Sequence, residues 1–181
     1  MPSLARLSVN SRGFSTPASA IRRSANRRKR EMEISLDNRQ RRIEFDTGDL
    51  KKKAEQLLRD LGCSGSTALS ISLVGAEEMA ELNFRHRGKE GPTNVLAFPQ
   101  REGDFSGPQM DLLGDVVICA DRIAHDAEEL GYTRAEMALY VLIHGVLHLM
   151  GVHHDLPARR TSMEEKVEQL FHRLISSSLM T

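Results

Sequence analysis

The stretch His144 to Asp155, HGVLHLMGVHHD, places four of the chain's seven histidines within twelve residues. It follows directly on an apolar run, ALYVLI, and this pairing of apolar helix pattern with imidazoles restricts the fold more than any other feature. His144 and His148 stand four apart, so on a helix both rings leave one face a turn apart. Gly151 is placed to end that helix, because glycine reaches the left-handed cap conformation without steric cost. Beyond it the chain can fold back and offer His153 or His154 as a third donor. The segment itself is apolar on most sides (Met137, Leu139, Val141, Leu142, Ile143, Val146, Leu147), which predicts a central, buried helix. A rigid buried helix is where ligand geometry can be held.

Three neutral imidazoles and one open position suit a catalytic zinc site, whereas a structural site closes with four ligands, often thiolates. An ion so held keeps one position for water and lowers that water's pKa toward ~7. The run therefore predicts a metal-dependent hydrolase. It is not the familiar peptidase helix, His-Glu-x-x-His, whose glutamate is the general base, because that position is Gly145. A hydrolase of peptides or of small esters or amides stays as an alternative. Imidazole donors also suit nickel, copper and iron, so one zinc ion is expected with other divalent metals open.

The run resembles the signature of the YbeY family of bacterial endoribonucleases, His-Gly-x-Leu-His-Leu-x-Gly-Tyr-Asp-His. Position by position, the resemblance puts the metal ligands on His144, His148 and His154, with Val152 where the family has tyrosine and His153 where it has aspartate. A second block, LNFRHRGKEGPTNVLAFP from Leu82 to Pro99, is similar to the family's Leu-Asn-x-x-Tyr-Arg followed by Pro-Thr-Asp-Val-Leu-Ser-Phe-Pro. There Arg87 falls on the functionally important arginine, His86 on the aromatic position, Asn94 on aspartate and Ala97 on serine. A third, LLGDVVIC from Leu112 to Cys119, matches the Leu-Gly-Asp-Ile-x-Ile strand.

The resemblance implies cleavage of single-stranded RNA, maturation of the 3′ end of 16S rRNA and ribosome quality control. The implied partners are RNA and the small ribosomal subunit with its proteins, in the cytoplasm. A ribosome-assembly factor with a structural metal is a further alternative, implied only by this resemblance. Arg87 would be the catalytic residue, binding phosphate and stabilising charge in the transition state. Asp115 would orient a ligand or cap a turn, and His86, His125 and His172 would have ordinary structural or surface roles.

Charge cuts against a nuclease at first sight. Residues 1–30 hold 8 of the 25 basic residues and no acidic one, so the other 17 face all 25 acidic residues and the remainder carries −8. Phosphate affinity rests on Lys and Arg, so the expected RNA contact is a local patch at Arg85, Arg87 and Lys89. The basic segment 1–31 is Ser- and Arg-rich without a hydrophobic centre and is expected to be disordered and outside the fold. Its composition fits a transit peptide, and a natural start at Met32 is the favoured reading; an RNA-binding arm is a third. The remaining residues, 32–181, are expected to form a single metal-dependent catalytic domain. With 40% hydrophobic residues there is enough for one core, and no apolar run approaches a membrane span. Two cysteines give no disulfide framework, and Cys119 ends an apolar run where a buried free thiol is the default.

Periodicity predicts strands at Met32–Leu36, Asn94–Phe98 and Gly114–Cys119, and a half-buried strand at Ala68–Val74, where Leu69, Ile71 and Leu73 alternate with Ser70 and Ser72. Helices are predicted at Asp49–Leu61, Ala76–His86, Asp121–Leu130, Arg134–Met150 and Arg159–Ser176, with a polar loop at residues 101–111. Thr133 and Glu136 form a capping-box signature ahead of the metal helix. The expected class is α+β, a small mixed sheet of about four strands with about five helices and the zincin-like metal helix buried against the sheet.

Overall fold

A computed structural model describes residues 32–100, 112–152 and 157–178 of the chain. Among these, the elements are β1 (Glu33–Asn38), α1 (Thr47–Asp60), β2 (Ala68–Val74), α2 (Ala76–Arg87), β3 (Val95–Pro99), β4 (Leu112–Cys119), α3 (Ala120–Leu130), α4 (Arg134–Leu149) and α5 (Pro157–Ser178). The four strands form one mixed sheet in the order β1-β2-β4-β3. β1, β2 and β4 are parallel, and β3 runs antiparallel along β4. The α+β class, the strand and helix numbers among the described residues and the burial of α4 all follow the sequence reading. The loop predicted at residues 101–111 lies outside the described residues, as does the extension 1–31.

Side-chain alternation splits the sheet into two unlike faces. One carries Leu69, Ile71, Leu73, Val116 and Ile118 and packs against α1, α4 and α5 in the main core, with Leu57, Leu58, Leu139, Leu142 and Ile143 fully buried. The other carries Val74, Leu96, Val117 and Cys119 and is covered by α2 through Met79 and Leu82. That second layer corrects the reading of β2 as half-buried. Ser70 and Ser72 are only 1% and 2% exposed, because β2 is flanked by β1 and β4 and both of its faces are covered. Period-two alternation reports which side of a strand is polar, and parallel strands are buried on both sides regardless. Cys119 is buried and free, as expected, and burial pushes its thiol pKa up.

Both ends of α4 are closed. The Thr133 hydroxyl accepts from the Glu136 amide at 3.2 Å, while the Glu136 carboxylate accepts from the Thr133 amide at 2.8 Å, completing the predicted capping box. At the other end Gly151 takes φ +80, its amide donating to the His148 carbonyl and that of Val152 to the Leu147 carbonyl, each at 3.0 Å. This is the Schellman pattern, and Val152 packs on the core that holds Leu147.

Candidate metal centre

The two helix histidines meet. His144 Nε2 and His148 Nε2 lie 3.1 Å apart with ring centroids 4.7 Å apart, both rings half-buried on α4. Two imidazoles on adjacent vertices of a tetrahedral zinc site would stand ~3.3 Å apart, given Zn–N near 2.0–2.1 Å. The pair therefore fits a shared divalent ion in donor type and in spacing. His153 and His154 lie outside the described residues, so the third donor is not placed.

Gly145, between the histidines in sequence, sits where α4 comes closest to the sheet. A Cβ there would lie 2.9 Å from Val116 Cγ1 and 3.2 Å from Val95 Cγ2. A side chain at this position would require the helix or the facing valines to shift. The sequence reading saw a missing base at this position and not a packing requirement.

Arg87 is the last residue of α2 and is exposed. It belongs to the sheet face opposite α4, with β3 supplying contacts to both: Val95 toward α4 and Phe98 toward α2. The neighbouring His86 ring meets Phe98 edge-on, centroids 4.8 Å apart, so the family's aromatic position is here an imidazole on β3. Gly88 closes α2 in the left-handed conformation, and Asn83 Nδ2 donates to the Gly91 carbonyl at 2.8 Å, tying the following loop back to the helix. At its start, the amide of Ala76 donates to Asp121 Oδ2 at 2.8 Å. Arg85 and Lys89 are exposed as well.

Asp115 does not cap a turn. It lies inside β4, 3% exposed, with Oδ2 accepting from Gln100 Nε2 at 3.3 Å. It is the register partner of Ser70, which pairs in turn with Ser35, so three polar residues cross the sheet in one row. Burial raises the Asp115 pKa, and Ser70 and Gln100 offset part of the rise. Ser35 Oγ and Asp115 Oδ1 are buried without a hydrogen-bond partner.

One group of three donors among the described residues could hold an ion: His125, Asp126 and Glu129 on α3, with ligand atoms all within 4.8 Å of one another. The sequence reading gave His125 an ordinary role and missed this group, although the spacing along one helix was there to see. Arg122 already pairs with Asp126 at 3.1 Å, so an ion would compete with a guanidinium there.

Residues 35–175 match the family model described as Endoribonuclease YbeY. The chain belongs to the YbeY endoribonuclease family. It is thus an enzyme of the hydrolase class. The endoribonuclease YbeY of Geobacter sulfurreducens is 37% identical over 151 residues, covering 82% of this chain and 100% of the relative. That of Syntrophus aciditrophicus is 34% identical over 145 residues, covering 79% and 90%. A Thermotoga maritima protein solved in solution aligns with TM-score 0.49 and 27% identity over 80% of this chain and 93% of that one. The YbeY match runs from within β1 to within α5 and includes the histidine pair, Arg87 and Asp115. No helix among the described residues is long and apolar enough to cross a membrane.

Proposed function

We propose that this YbeY-family chain is a zinc-dependent endoribonuclease that cleaves single-stranded RNA, acting in the maturation of the 3′ end of 16S rRNA and in ribosome quality control in the cytoplasm. The observation that carries this reading is the His144–His148 pair, 3.1 Å apart on a buried helix in a chain of this family. His144, His148 and His154 would hold the ion, within a single catalytic domain spanning residues 32–181 and with the basic extension 1–31 outside it. When bound, such an ion supplies Lewis-acid charge and acidifies water toward ~7, which makes hydrolysis accessible at neutral pH. Arg87 would clamp the phosphodiester, because its planar guanidinium presents paired donors to phosphoryl oxygens and opposes the charge that builds there. Asp115 lies inside β4 at 3% exposure, so it would not face a solvent-borne substrate as a base. Arg85 and Lys89 would add phosphate affinity, with RNA and the small ribosomal subunit as partners.

The test is cleavage of a single-stranded RNA by zinc-loaded protein, with and without chelator, beside three variants. His144→Ala and His148→Ala should lose stoichiometric zinc, since two donors hold a divalent ion poorly against chelator. Arg87→Ala should keep the zinc and lose ~10²-fold in cleavage rate. Full zinc occupancy in the histidine variants, or parental cleavage by Arg87→Ala, defeats the reading.

A further inference from the structure

We propose that Gly145 is a positioning residue, whose missing side chain seats α4 on the sheet and thereby sets the His144–His148 pair at a fixed offset from Arg87, with β3 as their common reference. The inference rests on the assignment of the histidines and Arg87 given above and adds what holds them in register.

Two sets of contacts support it. On one face of the sheet, the Gly145 backbone approaches Val95 of β3 and Val116 of β4 so closely that a Cβ would stand 3.2 and 2.9 Å from their methyl groups. On the other, α2 is fixed at its start by Asp121 and at its end by His86 against Phe98 of β3, one residue before Arg87. The same five-residue strand therefore touches the carriers of both proposed groups, from opposite sides. Alanine is the better helix former, so intrinsic propensity favours Gly145→Ala, and only the contact opposes it. Both histidines ride on α4, so lifting the helix moves them together. Their mutual spacing, and with it zinc affinity, should persist while their offset from Arg87 changes.

The experiment compares the full chain with Gly145→Ala, Val116→Ala and the double variant. Each is measured for zinc affinity by chelator competition, for folded fraction in urea, and for kcat and KM on a single-stranded oligoribonucleotide. Gly145→Ala should lower kcat ~10-fold, since sub-ångström misplacement of reacting groups is costly. Its KM and zinc affinity should stay within about twofold, the mark of a loss confined to the transition state. Val116→Ala removes the nearest obstructing methyl, at 2.9 Å, and leaves only the milder 3.2 Å approach to Val95, so the double variant should recover most of the lost kcat. Parental kcat in Gly145→Ala, loss of zinc in parallel with kcat, or a defect that persists in the folded double variant would each overturn the proposal. Should Gly145→Ala fail to fold, the double variant decides: folded and active it supports the seat, and unfolded or inactive it refutes it. Failure of the underlying assignment is separate, because it shows as zinc retained by His144→Ala or as no cleavage by the parent chain.

Discussion

The two faces of the sheet are built from different chemistry. Toward α4 the strands present Leu69, Ile71, Leu73, Val116 and Ile118, and the helix answers with Leu139, Leu142, Ile143 and Val146, all without solvent exposure. Toward α2 the same strands present a smaller apolar set, Val74, Leu96, Val117 and Cys119, and beside it the polar residues Ser35, Ser70, Ser72 and Asp115, with Ser35 Oγ and Asp115 Oδ1 unpartnered. A buried polar atom without a partner forfeits the hydrogen bond it had with water, whereas close-packed methyl groups forfeit nothing. The difference teaches that stability is concentrated on the face that carries the metal helix, while the face beneath α2 holds up despite its polar row.

Leu139→Ala should expose this contrast most strongly. Deleting a fully buried leucine from the α4 face should cost about 2–5 kcal/mol in a urea melt, through lost burial and the cavity left behind. A cost below ~1 kcal/mol would mean that this face repacks freely and the contrast is wrong.

Asp115→Asn sharpens the other side through pH. The folded pKa of Asp115 is raised by burial, so the native state keeps its proton longer than the unfolded chain does. Its contribution is fully present below the ordinary carboxylate pKa of about 3.9 and is lost as pH rises through the folded value. The asparagine variant lacks that dependence. Measured against the parent, its relative stability should therefore climb as pH is raised from about 4 toward neutrality; a flat difference across that range would show that Asp115 titrates as if exposed. Smallest of the three is Ser70→Ala. Removing a hydroxyl whose polar neighbour is the Asp115 carboxyl should change stability by no more than about 1 kcal/mol, the net worth of one hydrogen bond. A cost like that of Leu139→Ala would reveal a hidden polar network and erase the asymmetry.

How far the sequence foretold this depends on where each signal resides. α4 was legible at both ends because its determinants are local: Thr133 and Glu136 three residues apart, and Gly151 just past the last turn. The histidine pair was legible for the same reason, since i and i+4 on a helix must meet. The burial of Ser70 and Ser72 was not, because it depends on β1 and β4 arriving from other parts of the chain to flank β2. Strand order β1-β2-β4-β3 is likewise set by packing between distant segments. Gly145 was seen only as an absent carboxylate, since what makes it necessary, Val95 and Val116, lies 50 and 29 residues away.

Helix ends are where backbone hydrogen bonds open first, and His148 belongs to the last turn of α4. A donor on an unsecured last turn would share that turn's opening and reclosing. Here the amides of Gly151 and Val152 are bonded back to the carbonyls of His148 and Leu147, and Val152 is anchored on the core. Amide hydrogen exchange at these positions should accordingly be slow for a helix terminus. Keeping one donor of the pair in place then requires no bound ion, and the apo protein would hold half of its proposed coordination shell ready-made.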